Sequence, residues 1–281
     1  MAAIEVRKDI AFAGCGGQPF KGVLYRPAGV GPHPVLVAVH GGGWKRGSPD
    51  SYAVLGPWLA ERGYALFATT YRFAAPGKPS WPHAFHDVRA AVQNLRGRAS
   101  EFGIDPSRIG LMGDSAGGNL AALVALAGDL PEFAQGNAGQ AHGELSTKVK
   151  ALVGVFGVYD LVAQWRHDQL ARPLDQISEQ FVGCSLTEDR KPYFEASPLS
   201  YVSTRRSDTA VLLAWGSEDD IVDPRTQSVV MLEALKQAKH YVRTVIIPGA
   251  PHFWVSEPLD EPGSYNGFFV PRLLRFLQEQ L

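Results

Sequence analysis

The chain has 281 residues, of which 45% are hydrophobic and 20% charged, and its formal net charge is −1. A nearly neutral chain without clustered basic residues argues against nucleic-acid binding. No apolar run approaches the ~20 residues that a helix needs to cross a bilayer, so we expect no membrane partner. This length suits one large α/β domain, and we predict a single domain over residues 1–281.

The two cysteines, Cys15 and Cys184, form neither a disulfide framework nor a metal-ligand spacing. We therefore predict free thiols in a reducing compartment, although a single bridge between the two stays open. The first residues lack the apolar segment of a signal peptide, so we expect a cytoplasmic protein. The H-E-x-x-H and C-x-x-C spacings are both missing from the sequence, and we expect neither a metal nor another cofactor.

Strand and helix signals alternate along most of the chain. Continuous apolar runs such as residues 34–39 (PVLVAV) are typical of strands that are buried on both faces. The predicted strands occupy 4–12, 20–25, 34–39, 65–70, the run from 109, 151–155, 211–215 and 241–248. The predicted helices occupy 52–62, 84–101, the segment after 115, the segment from Pro224, and 271–281. This alternation predicts an α/β fold with a mostly parallel sheet of about eight strands and helices on both faces.

Residues 159–203 interrupt the alternation with a mixture of aromatic and charged residues. In a doubly wound sheet, an insertion of this size after a strand lies over the carboxyl edge, where ligands bind. We predict that this segment forms a lid over the site. A helical decoration without substrate contact is the alternative.

Ser115 stands between an apolar run and a helix-forming segment, with Gly113 and Gly117 two residues away on either side. This G-x-S-x-G spacing is typical of a nucleophile elbow, in which small residues let strand and helix pass closely. Alone the spacing is a weak signal, because a serine in a glycine-rich turn is usually structural. The strand–turn–helix context and suitable partners elsewhere in the chain indicate a catalytic serine.

A nucleophilic serine needs a base to accept its proton, and the base needs an acidic partner. His252 follows the last predicted strand in a loop of proline, glycine and alanine, where a core role is not expected, so we predict it as the base. Asp219 follows another strand end and is the predicted acid, with Asp220 and Glu218 as alternatives. Asp114 is expected to make local hydrogen bonds instead.

Three glycines follow His40 directly after a buried strand. A backbone without side chains can bring its N–H groups close to the oxyanion that forms in acyl transfer. We predict that the amides of Gly41, Gly42 and Ala116 are the donors, and that His40 orients the loop.

With these partners, the sequence resembles an α/β-hydrolase. More narrowly, HGGGW at 40–44 and GDSAGGNL at 113–120 resemble the hormone-sensitive-lipase-like carboxylesterases. The resemblance covers about residues 20–281 and implies the α/β-hydrolase fold and a serine carboxylesterase. Two features depart from it. Family members often begin with a helical cap, but here the segment before the first buried strand is short. Residues 216–222 (GSEDDIV) are more similar to small carbohydrate-deacetylating, feruloyl-type and kynurenine-formamidase-like hydrolases, which leaves the substrate class open.

The function that we predict is hydrolysis of carboxylic esters with short acyl chains or compact aromatic groups, through an acyl intermediate on Ser115. An arylformamidase or another amidase with the same triad is one alternative, and a non-catalytic small-molecule receptor on the same scaffold is another. Trp44 and Trp254 are predicted to line the substrate pocket. A homodimer is compatible with the sequence, but no pattern specifies its interface.

Overall fold

The computed structural model of the chain describes residues 3–206 and 208–281. Within these residues, the strands are β1 Ile4–Ala13, β2 Pro19–Pro27, β3 His33–Val39, β4 Ala65–Thr69, β5 Ile104–Asp114, β6 Ala151–Val155, β7 Ala210–Gly216 and β8 Val242–Ile247. The helices are α1 Leu55–Ala60, α2 His83–Gly97, α3 Ala99–Phe102, α4 Ala116–Ala127, α5 Leu161–Ala171, α6 Ile177–Val182, α7 Lys191–Glu195, α8 Ser228–Gln237 and α9 Tyr265–Gln280. Short 3₁₀ turns lie between them.

All of these strands belong to one sheet with the order β1-β2-β4-β3-β5-β6-β7-β8. The first pairings, of β1 with β2 and of β2 with β4, are antiparallel, and the remaining pairings are parallel. The predicted α/β class, the mostly parallel sheet and its size are therefore confirmed. The antiparallel hairpin expected at the start of the chain forms β1 and β2.

The register of the central strands decides where the site lies. Val39 at the end of β3 pairs with Gly113, and Asp114 at the end of β5 pairs with Val155 at the end of β6. On the far side, Gly216 at the end of β7 pairs with Ile247 at the end of β8. The loops that follow these strands therefore leave the sheet at the same edge.

Most differences from the predicted elements concern where helices begin. The last helix starts at Tyr265, not at Pro271, because the side chain of Ser264 accepts a hydrogen bond from the Gly267 amide and caps it earlier. The helix expected from Pro224 starts at Ser228, after a turn in which Asp223 accepts from the following amides. The helix predicted over 84–101 is split into α2 and α3.

Two further expectations concern cysteines and membranes. Cys15 and Cys184 are both free, so the bridge that the sequence left open is not formed. Across residues 3–206 and 208–281, no helix combines the length and the apolar character that crossing a membrane requires.

His86, on α2, makes the stability of the protein depend on pH. It is buried, and Arg89 Nη1 lies 3.1 Å from its Nδ1. Burial, reinforced by the positive charge of Arg89, lowers the pKa of His86 to about 3. An unfolded histidine has a pKa of about 6.5. Below that pH the unfolded chain binds a proton that the folded chain refuses, so stability falls as the pH drops from 6.5 towards 3.

We therefore expect His86 to account for a loss of about 2 kcal/mol in the free energy of unfolding between pH 7 and pH 5. Urea unfolding at a series of pH values measures it. The His86→Gln variant should lose this part of the pH dependence, because glutamine does not titrate. His83→Gln, which changes an exposed histidine on the same helix, is the matched control. An unchanged slope in His86→Gln would contradict the prediction.

Candidate active site

Ser115 sits at the turn between β5 and α4, with φ 53° and ψ −122°. A Cβ atom on Gly113 would lie 2.2 Å from the Gly117 carbonyl oxygen, and one on Gly117 would lie 2.0 Å from the Val39 carbonyl oxygen. Only glycine fits at either position, which is the physical reason for the spacing noted in the sequence. The Ser115 amide donates to the Val155 carbonyl at 2.9 Å and fixes the turn to the sheet.

The side chains of Ser115, His252 and Asp219 form one hydrogen-bonded series. His252 Nε2 lies 3.0 Å from Ser115 Oγ, and His252 Nδ1 lies 2.7 Å from Asp219 Oδ2. All three residues are buried. The structure thus brings together the predicted serine, histidine and acid, which lie in three loops that are far apart in the sequence.

The orientation of Asp219 is set by its own loop. Its Oδ1 accepts the amides of Ile221 at 3.1 Å and Val222 at 2.9 Å, which leaves Oδ2 for the imidazole. The neighbouring acids Glu218 and Asp220 are exposed. Geometry therefore separates the predicted acid from its two alternatives.

Aromatic rings hold the imidazole of His252 on two sides. The Phe156 ring lies 4.4 Å from it at 54°, and the Phe253 ring lies 4.4 Å from it at 81°. Phe156 follows β6, whereas Phe253 directly follows the histidine. These contacts restrict the ring to the orientation that faces Ser115.

His40 fixes the glycine loop, residues 41–43, that follows β3. Its Nδ1 is 2.8 Å from the Gly41 carbonyl, which can only accept, so Nδ1 carries the hydrogen. Burial lowers the pKa of His40 and keeps it neutral, so its Nε2 accepts from the Thr70 hydroxyl at 3.1 Å. The Tyr71 hydroxyl donates to the His40 carbonyl at 3.1 Å. His40 therefore orients the loop, as the sequence suggested.

The Gly41 amide is not free to meet an oxyanion, contrary to the prediction. It donates to Asp114 Oδ2 at 3.0 Å, while the Tyr52 hydroxyl donates to Asp114 Oδ1 at 2.7 Å. Burial raises the pKa of the Asp114 carboxyl, and these two hydrogen bonds oppose the shift. Gly42 and Gly43 line the cavity beside Ser115. Sequence reasoning missed Gly43, although it is the third glycine of the same run.

A cavity of about 260 Å³ opens in front of the serine. One wall comes from the segment 159–203, which folds into α5, α6 and α7. Its cavity-lining residues are Gln164, Asp168, Arg172, Asp175 and Ile177. The segment thus lines the space beside the serine.

The wall is held together by the buried carboxylate of Asp168. It accepts from Gln164 Nε2 at 2.9 Å, Arg172 Nη2 at 2.5 Å and Ser178 Oγ at 2.9 Å, which ties α5 to α6.

The same wall is also attached to the glycine loop. Lys45 Nζ lies 2.6 Å from Asp175 Oδ1, and the Trp44 ring stacks on Phe181 at 4.3 Å and 9°. The loop beside the serine and the inserted segment therefore form one packed unit.

The two tryptophans predicted for the substrate pocket have different places. Trp44 lines the cavity. Trp254 does not: it is fully buried and packs against Phe156 and Phe269 behind the site. The correction has a backbone cause, because the positive φ of Phe253 (67°) turns the chain so that Phe253 faces the cavity. No sequence signal marks a phenylalanine for that conformation.

No group of three or more metal-binding side chains occurs within the described part of the chain. The acids and the histidine of the site are engaged with one another and with backbone amides. The chemistry that this arrangement can perform is proton transfer from a hydroxyl held beside backbone amides.

The chain is similar in sequence to known proteins. The family model BD-FAE matches residues 23–235. Esterase LipC of Mycobacterium tuberculosis (strain ATCC 25618 / H37Rv) is 32% identical over 224 residues, which are 79% of this chain and 53% of the relative. The probable carboxylic ester hydrolase LipM of the same organism is 32% identical over 210 residues, 74% of this chain and 46% of the relative. The chain thus spans about half the length of these curated relatives.

Solved structures with the same fold include a truncated carbohydrate esterase from gut microbiota, with a TM-score of 0.81 and 20% identity. That alignment covers 99% of this chain and 96% of the other. Carboxyl esterase 2 from the mycorrhizal fungus Tuber melanosporum has a TM-score of 0.77 and 22% identity, with 100% and 89% covered. These likenesses concern the fold alone, and they confirm the predicted α/β-hydrolase architecture.

Proposed function

Because the chain belongs to the BD-FAE family, we propose that it hydrolyses carboxylic esters through an acyl intermediate on Ser115. The observation that carries the proposal is the hydrogen-bonded series in which His252 lies 3.0 Å from Ser115 and 2.7 Å from Asp219. The names of these two relatives, esterase and carboxylic ester hydrolase, support an ester substrate.

In the acylation step, Ser115 Oγ attacks the ester carbonyl carbon while His252 Nε2 takes the hydroxyl proton. Asp219 Oδ2 can only accept, so it keeps the hydrogen of His252 on Nδ1 and leaves the Nε2 lone pair towards the serine. The tetrahedral intermediate then collapses: the bond to the alcohol oxygen breaks, and His252 gives its proton to that oxygen. Water, activated by the same histidine, releases the acid in the second half of the reaction.

The carbonyl oxygen becomes an oxyanion and needs preorganised donors. Ala116 follows the nucleophile at the start of α4, and Gly42 and Gly43 line the same cavity. We assign the three amides of these residues to the oxyanion. The Gly41 amide does not contact the oxyanion. Its hydrogen bond to Asp114 holds in place the loop that carries Gly42 and Gly43.

The proposal also covers the lid and the number of domains. Residues 159–203 serve as the lid of a single domain, supported by their position along one wall of the cavity and by the Lys45–Asp175 ion pair. A cytoplasmic location is supported by the two free thiols. A homodimer is compatible with the sheet order, in which β8 is an outermost strand.

The size of the cavity, about 260 Å³, favours short acyl chains or compact aromatic esters. We expect kcat/KM to fall by about tenfold or more from the butyrate to the decanoate ester of one alcohol, because the longer chain cannot be enclosed. A matched acetate ester and acetanilide, and the corresponding formanilide, complete the panel. Faster cleavage of the anilides than of the ester would replace the esterase proposal by an amidase.

A further inference from the structure

Several residues with a strained, left-handed backbone conformation lie around the candidate active site. Among the described residues, seven that are not glycine have a positive φ, and four of them are Trp44, Ser115, Phe156 and Phe253. Left-handed conformations are unfavourable for bulky side chains and persist only where surrounding interactions or a function maintain them. The contacts of each residue therefore indicate what maintains its positive φ.

Three of the four have an evident structural cause. Trp44 and Phe156 are almost fully buried, so packing holds their conformation, and Ser115 is held by the elbow. Phe253 is different, because 61% of its surface is exposed. The conformation with φ 67° buries its neighbours His252 and Trp254 and leaves the Phe253 ring itself at the cavity.

The place of Phe253 relative to the reacting atoms is specific. Its ring meets the His252 imidazole edge to face at 4.4 Å, and it lines the cavity together with Ile221 and Val222 from the loop that carries Asp219. In ester cleavage the histidine returns its proton to the departing alcohol oxygen. A side chain that borders the imidazole therefore borders the alcohol half of the ester.

We propose that Phe253 is a specificity-determining residue whose ring forms the wall that binds an aromatic leaving group, a phenol or an aryl-bearing alcohol. The inference rests on the proposed esterase function and assigns the aromatic part of the substrate to the alcohol side. An aromatic ring attracts another in an offset or edge-to-face arrangement in addition to the apolar area that the contact covers. The exposed face of Phe253 provides this surface when the cavity is empty.

The test compares phenyl acetate with ethyl acetate, which share the acyl group, in the wild type, Phe253→Ala and Phe268→Ala. Phe268 is a matched control, because it is also an exposed phenylalanine (38%) but lies on α9, outside the lid and the cavity lining. We expect Phe253→Ala to lower kcat/KM for phenyl acetate by about tenfold more than for ethyl acetate. Phe268→Ala should leave both values unchanged. An equal loss on both esters in Phe253→Ala would overturn the proposal.

Two further measurements separate this role from a structural one. In Phe253→Ala, kcat/KM for phenyl butyrate should fall by the same factor as kcat/KM for phenyl acetate, because the two esters differ only in the acyl group. Phe253→Gly should have a urea midpoint no lower than that of the wild type, since glycine relieves the backbone strain. A clear fall in the midpoint would assign Phe253 to stability and contradict the proposal.

Binding of phenol, the released alcohol, gives a readout that does not need turnover. Calorimetric titration should show weaker phenol binding in Phe253→Ala than in the wild type and in Phe268→Ala. If the wild type cleaves no ester but Phe253→Ala still weakens phenol binding, the esterase proposal fails and the aromatic wall stands. If phenol binds equally to all three proteins, the wall is refuted whatever the activity.

Discussion

Replacing Ser115 by alanine is expected to lower kcat for an acetate ester by about 10⁴-fold or more, because it removes the hydroxyl that forms the acyl intermediate. The fold should survive, since the backbone bond from the Ser115 amide to Val155 does not involve the side chain. The variant should also lose covalent labelling by an organophosphonate, which reacts with an activated serine. Initial rates, labelling and urea unfolding measure the three expectations.

Ser100→Ala is a suitable control, because Ser100 is exposed on α3. It should retain the rate and the labelling of the wild type. A Ser115→Ala protein that still hydrolyses esters at a near-normal rate would remove the serine from the mechanism. A wild-type protein that binds small esters but is never labelled would favour the receptor alternative.

The fold was predictable from the sequence because its signals are local. The apolar runs of the central strands and the glycines around Ser115 each reflect a steric or burial requirement within a few residues. Helix starts were less predictable, because they depend on single capping contacts. The hydrogen bond from the Gly267 amide to the Ser264 side chain, for example, caps the last helix at an earlier residue than the sequence predicted.

The candidate site was predictable in its residue types and less so in its detailed contacts. The sequence could rank Asp219 above Asp220, but the choice is made by the amides of Ile221 and Val222, which only a folded loop presents. Likewise, the glycine run indicated backbone donors, but nothing in it revealed that Asp114 occupies the Gly41 amide. These contacts join segments that are far apart in the chain.

The exchange of Trp254 for Phe253 in the cavity has a related cause. A tryptophan two residues after the base was the expected pocket residue, and in a regular extended chain alternate side chains do face the same side. The left-handed conformation at Phe253 breaks that alternation and sends the tryptophan into the core against Phe269. Sequence patterns assume regular backbone, and they fail where strain is concentrated.

Changing Asp219 to asparagine is expected to lower kcat by about 10⁴-fold while preserving the fold, the size of effect seen when an acid of this type loses its charge. The physical reason lies in the loop. The amides of Ile221 and Val222 require an acceptor, so the asparagine oxygen will take the position of Oδ1. Its NH₂ group then faces His252 Nδ1 and donates to it. The imidazole must therefore carry its hydrogen on Nε2, where it can no longer accept the proton of Ser115.

Asp220→Asn provides the matched comparison, because it makes the same chemical change one residue away on an exposed side chain. It should leave kcat and KM close to the wild-type values. Steady-state kinetics on one acetate ester, with urea unfolding of both variants, separates catalysis from stability. A large loss in Asp220→Asn with a near-normal Asp219→Asn would transfer the acidic role to the neighbour. An equal loss in both variants with reduced stability would indicate a damaged loop, and the tautomer argument would then be wrong.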